Sequence, residues 1–228
     1  EDHVLTVQEK GIFVVADGFG GPGPGAAASK TACEAVRGFL IKEAGDQDAT
    51  LPFVLRTYFS LAGNVLFNAL VHANRKVRLL NRNKNVHERG GASVIAGYMD
   101  GDLLALANVG GCSAWLIRDG AGVELVTPRT YGRLSEPFGV ESSEGEEGRV
   151  PLMSVGLAED LEPEIFEYRV RPGDWLLFQT DGVPSEARLS IAALQKEGLP
   201  PTQASDALIS LLNHASYSDN VACSLVIF

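Results

Sequence analysis

At 228 residues, with 45% hydrophobic residues and a formal net charge of −10, the chain has the make-up of a folded globular domain with one substantial core. The acidity argues against a nucleic-acid footprint, and no apolar run reaches the roughly 18 residues needed to span a bilayer. Glu1-Asp2-His3 is unlike a signal peptide, and Cys33, Cys112 and Cys223 form no C-x-x-C pair, so free thiols in a reducing, cytoplasmic setting are expected.

Residues 3–8 and 11–16 are expected to form short strands joined by a turn. Strong helix formers run from 26 to 44, with Cys33, Val36 and Leu40 as the apolar positions. A longer helix is expected from the stripe Leu55, Phe59, Ala62, Leu66, Leu70, Ala73, Val77 and Leu80, with Pro52 in its first turn. Its Arg75-Lys76-Val77-Arg78 run reads as a solvated helix end. The pattern then turns strand-like at 92–99, 103–109, 113–118 and 123–127, with Asp100-Gly101 and Asp119-Gly120 as hairpin signals. Residues 128–163 are rich in proline, glycine and acids and predict a loop-rich excursion. Strands resume at 165–170 and 175–179 across Pro172-Gly173, helices follow at 190–197 and 202–214, and 221–228 closes as a strand. Grouped helices and hairpin-linked strands point to largely antiparallel sheets in one α+β layered domain spanning 1–228.

Three aspartates stand out in this frame. Asp17 follows the apolar run 11–16 and precedes Gly18-Phe19-Gly20-Gly21, Asp181-Gly182 follows the run 175–180, and Asp219-Asn220 precedes the last strand. One strand-end aspartate is commonly a turn or cap residue. Three in the same setting suit a hard divalent cation, which takes several oxygen ligands from rigid elements.

These segments, in this order, resemble the metal-dependent serine/threonine protein phosphatases of type 2C, particularly the bacterial form. Glu1-Asp2 resembles the family's opening Asn-Glu-Asp segment, and Val15 to Gly21 its Val-Ala-Asp-Gly-Met-Gly-Gly, with Phe19 in the methionine place. Asn108-Val109-Gly110 matches the start of Asn-Val-Gly-Asp-Ser-Arg, Thr180-Asp181-Gly182 the Ser-Asp-Gly segment, and Ser218-Asp219-Asn220 the closing Asp-Asn. The resemblance implies a four-layer α-β-β-α sandwich of two antiparallel sheets flanked by paired helices. It also implies two Mn²⁺ or Mg²⁺ ions and hydrolysis of phosphoserine or phosphothreonine in a phosphoprotein substrate by a metal-activated water. Asp17 would bridge both ions, the Gly18 carbonyl would join one, Asp181 and Asp219 would hold the other, and Glu1 or Asp2 would support the first.

One departure bears on activity. Where the family reads Gly-Asp-Ser-Arg the chain has Gly110-Gly111-Cys112-Ser113, so Gly111 replaces the aspartate that holds a third ion. The family's phosphate-contacting arginine precedes the Glu-Asp pair, a segment that lies before Glu1. The alternative is therefore a pseudophosphatase that keeps the sandwich as a binding or regulatory module. Two other readings are weaker. Gly18, Gly20 and Gly23 fit G-x-G-x-x-G, but Pro22 and Pro24 remove donors a dinucleotide loop uses, and no second parallel strand follows. Cys112 and Arg118 fit the spacing of a thiolate phosphatase, but the residues between them are bulky and apolar and read as strand.

Overall fold

The computed structural model describes residues 1–21, 23–43, 55–135, 146–214 and 219–228. The strands are β1 (His3–Val7), β2 (Ile12–Phe19), β3 (Gly91–Asp100), β4 (Leu103–Val109), β5 (Ser113–Arg118), β6 (Ala121–Val126), β7 (Glu164–Arg169), β8 (Trp175–Gln179) and β9 (Cys223–Ile227). They form two antiparallel sheets, ordered β1-β2-β3-β4-β7 and β6-β5-β8-β9. Helices α1 (Pro24–Glu43) and α2 (Leu61–Asn81) pair on the outer face of the first sheet. Short helices α3 (Tyr131–Ser135) and α4 (Glu146–Arg149) interrupt the excursion, and α5 (Ser185–Lys196) with α6 (Pro201–His214) covers the second sheet. The layers run α-β-β-α, as expected. No helix among the described residues is long and apolar enough to cross a membrane.

Side-chain alternation along the strands builds three cores. Ile12, Val14 and Ala16 face α1 and α2, together with Val94 and Ala96. Phe13 and Val15 face the other way, joining Ile95, Leu104, Leu106, Leu176 and Phe178 between the sheets. Trp175 and Leu177 turn outward to α5. The helix-side face is lined by the small residues Ala96, Ala105 and Ala107, which lets the helix pair lie close. Leu66, Leu70 and Val77 of α2 are fully buried there, each contributing about 1.5–3 kcal/mol by leaving water.

Several elements depart from the sequence reading. The stripe that begins at Leu55 enters α2 only at Leu61, because Ser60 caps the helix by accepting the Gly63 N–H at 3.0 Å. The Asn64 side chain ties the preceding turn by accepting the Arg56 N–H at 2.7 Å, and Pro52 lies outside the described residues. The β3–β4 loop is Gly101-Asp102 rather than Asp100-Gly101: Asp100 pairs with Leu103, and only Gly101 has a left-handed φ, 62°, as a type II′ turn requires. Between β5 and β6 both Asp119 (φ 53°) and Gly120 (φ 75°) are left-handed, the signature of type I′. The excursion is tied down by bridges from Val155 to Ala92 and from Pro151 to Thr130.

Candidate metal centre

Strand β2 does not stop at Asp17. It continues through Gly18 and Phe19, which pair with Ala92 and Gly91 of β3. Phe13 and Val15 face the second sheet, and by the same alternation Asp17 faces it too, at the end of the strand where the sandwich opens. Strand register brings the other acids to this end. His3 pairs with Ala16, which sets Asp2 beside Asp17, and Gln179 pairs with Cys223, which sets the segments after β8 and before β9 side by side. Thr180 fastens that corner: its N–H donates to the Ala222 carbonyl at 3.0 Å, and its hydroxyl donates to Asp2 Oδ2 at 2.9 Å. Gly182 packs so close to Asn220 that a Cβ would collide with the Asn220 carbonyl.

Asp2, Asp17, Asp181 and Asp219 thus converge from four segments. Burial pushes Asp17 up to about 8, and the charges of Asp181, Asp2 and Asp219 act in the same direction. Asp181 is raised by burial and then by Asp219; Asp2 is raised by burial, against the opposing Thr180 hydrogen bond. Yet among the described residues no three His, Cys, Asp or Glu side chains are gathered tightly enough to hold an ion. Asp2 and Asp17 share a hydrogen bond, and the charges of Asp181 and Asp219 reach Asp17 without the four side chains closing into a ligand cage.

Glu1 is placed differently from Asp2. Its carbonyl accepts the Ser29 hydroxyl at 2.6 Å and its backbone nitrogen donates to Asn220 Oδ1 at 2.8 Å, while its carboxylate lies against Gly25 in the first turn of α1. Gly18 is enclosed by the same junction. A Cβ there would collide with the Gly25 carbonyl and stand 2.9 Å from that of Glu1. Only glycine lets β2, β1 and α1 meet this closely.

Gly111 borders a cleft of about 660 Å³ that also touches Asp181. Its N–H donates to Ser93 Oγ at 3.0 Å, and a Cβ would meet nothing nearer than 3.6 Å. The left-handed backbone belongs to Gly110, with φ 94°, so Gly111 has room and geometry for a side chain. Arg149 at the end of α4 is a site neighbour the sequence reading missed. Its guanidinium lies 4.0 Å from the Asp219 carboxylate and pulls Asp181 down against its acidic neighbours. No pattern in the loop-rich 128–163 stretch distinguishes that arginine from the others.

The competing motifs have structural explanations. Cys112 is wholly buried between the sheets, and burial raises its thiol well above the ordinary value. Arg118, at the other end of β5, is bound in a fork by Asp174 at 2.7 and 2.6 Å. Strand β2 pairs antiparallel on both sides, which rules out the parallel βαβ frame of a dinucleotide site. Arg75 and Arg78 line a separate surface cleft of about 520 Å³ with Arg82 and Arg89.

Neither a protein-family model nor a curated protein matches the sequence. Solved structures match the fold. The serine/threonine phosphatase PstP/Ppp of Mycobacterium tuberculosis superposes with a TM-score of 0.77 at 21% identity, covering 98% of this chain and 89% of that one. The PPM Ser-Thr phosphatase MsPP of Mycobacterium smegmatis, in complex with cacodylate, gives 0.75 at 22% identity over 99% and 90%. The catalytic domain of PstP in complex with two manganese ions gives 0.74 at 21% identity over 99% and 91%. The chain therefore has the fold of these phosphatases.

Proposed function

We propose that this chain is a metal-dependent protein phosphatase that hydrolyses phosphoserine and phosphothreonine with two Mn²⁺ or Mg²⁺ ions. The observation that carries the reading is the convergence of Asp2, Asp17, Asp181 and Asp219 at one end of the sandwich, with Asp17 lifted to about 8. Such a group holds more negative charge than the protein balances, and its donors are all oxygens, the chemistry that Mg²⁺ and Mn²⁺ select. In this reading the carboxylates of Asp17, Asp181 and Asp219 and the Gly18 carbonyl would hold the ions, and Asp2 and Glu1 would support them. When bound, the ions would lower the pKa of a water and neutralise charge on the phosphoryl oxygens.

The chain's own contribution is positioning. Thr180 holds Asp2 toward the group through its 2.9 Å hydrogen bond, and the Gly18 junction fixes the strand that carries Asp17. The Gly111 cleft admits the substrate from the second-sheet side. No side-chain nucleophile is required: water attacks phosphorus and the seryl or threonyl oxygen leaves. The fold shared with known phosphatases supports the reading by analogy. A cytoplasmic phosphoprotein is the corresponding substrate.

Gly111 favours a second reading, a pseudophosphatase that binds without turnover, because only backbone stands where the family carries a carboxylate. Hydrolysis of a small aryl phosphate with added Mn²⁺, with and without chelator, separates the two. Turnover that needs the metal and is lost in Asp17→Asn supports the phosphatase. Metal bound at these carboxylates without turnover supports the binding module, and hydrolysis indifferent to chelator removes the dinuclear mechanism.

A further inference from the structure

The cleft that begins at Gly111 and Asp181 continues past the acidic centre along the outer face of the second sheet. Its further walls are Trp115 and Gln179 from the sheet, Glu124 from β6, and Arg133, Arg149 and Arg188. Among the described residues, three guanidinium groups face one carboxylate outside the acidic centre, and that carboxylate is taken. Glu124 binds Arg133 at 2.6 Å. Arg188 lies over the Trp115 ring at 4.9 Å and donates to the Val183 carbonyl at 3.4 Å, and among the described residues it pairs with no carboxylate. Among the described residues Arg149 makes one ion pair, its 4.0 Å contact to Asp219, a carboxylate that bound ions would claim.

The peptide character of the ligand comes from the phosphatase reading, and the arginines that lack a carboxylate partner among the described residues outside the acidic centre suit negative charge on it.

We infer that this cleft selects phosphopeptides bearing a second negative charge beside the phosphorylated residue, a specificity that rests on the phosphatase reading above. The second charge is a carboxylate or a further phosphate, and the guanidinium groups of Arg149 and Arg188 receive it.

The test begins with binding, which needs no turnover. Fluorescein-labelled phosphopeptides with neutral neighbours, with glutamates, and with a second phosphoserine are titrated by fluorescence anisotropy in Mn²⁺ at low salt. The acid-flanked peptides are expected to bind about five-fold more tightly than the neutral one, with the preference shrinking in about 0.5 M salt. A preference for both acidic peptides assigns charge alone, and one confined to the second phosphate assigns a doubly phosphorylated substrate. In an Arg149→Gln, Arg188→Gln double variant the preference falls close to one. Glu124→Gln, which removes the carboxylate facing these arginines, widens it about two-fold, a gain that misfolding cannot produce. Equal binding of all three peptides by the wild type, a preference that survives loss of both arginines, or no gain in Glu124→Gln overturns the inference. Selective binding without phosphate release leaves the inference standing and sinks the phosphatase reading; release from all three at equal kcat/KM, with equal binding, does the reverse.

Discussion

Replacing Asp17 by asparagine removes an ionisable carboxyl while keeping its shape, and the effect on stability has a calculable sign. In the unfolded chain the carboxyl titrates at its ordinary 3.8; in the fold, burial and then Asp181 and Asp2 push it up to about 8. A carboxyl raised on folding weakens the fold as pH climbs from the lower value to the higher. At pH 7 the span above 3.8 is about 3 units, an upper bound of about 4 kcal/mol at about 1.4 kcal/mol per unit. Solvent reaches the group and the proton is shared with Asp2, so about half, ~2 kcal/mol, is the expected gain for Asp17→Asn in chelator. That is a rise of about 4–8 °C in Tm for a chain of this size. Thermal unfolding in chelator at pH 7 and again near pH 4 measures it, and the gap should close at the lower pH. With Mn²⁺ the order should invert, because only the wild type gains the free energy of binding. A variant less stable than wild type in chelator at pH 7, or a gap independent of pH, would refute the electrostatic account of this site.

Gly111→Ala should leave Tm within about 1 °C, since its Cβ would rest at ordinary contact distance from Ser93 and Thr130. Gly111→Asp should lower the Mn²⁺ concentration for half-maximal aryl phosphate hydrolysis about three-fold; an unchanged metal titration counts against a role for this position. Gly18→Ala should cost about 2–4 kcal/mol in urea unfolding and reduce turnover more than ten-fold, because the new methyl group would strike the Gly25 carbonyl. Cys112→Ser should keep kcat/KM within about three-fold while losing about 1–2 kcal/mol of stability, since it buries a hydroxyl between the sheets. A dead Cys112→Ser enzyme without a metal requirement would restore the thiolate reading.

The strands were the most legible part of this sequence. At β4, β5 and β8 apolar runs are bounded on both sides by turn residues, and their ends are read to the residue. The start of α2 was not, because Leu55 and Phe59 keep the helical spacing although Ser60 stops the helix short of them; a capping side chain outweighs two apolar positions. The beginning of α5 was missed by five residues for the opposite reason, since Ser185-Glu186 is polar and carries no stripe. At the site, Asp17, Asp181 and Asp219 were visible because each sits at the edge of a strand signal. Asp2 was visible only as an alternative to Glu1, and strand register, which composition does not encode, separates them. Arg149 was invisible: it reaches Asp219 across a separation of 70 residues, from a segment without periodicity.

The alternation of β2 carries an evolutionary constraint. Whether a position along that strand is odd or even decides both which core a side chain enters and whether the carboxylate at its end reaches Asp181 and Asp219. Inserting or deleting one residue just ahead of Phe13, where no bulge absorbs it, would send Phe13 and Val15 to the helices and the carboxylate with them. Core and centre share one reading frame, so selection on either polices the other. Lineages of this chain can lose the acid by substitution and keep the fold, but they cannot relocate it by a one-residue slip and keep either.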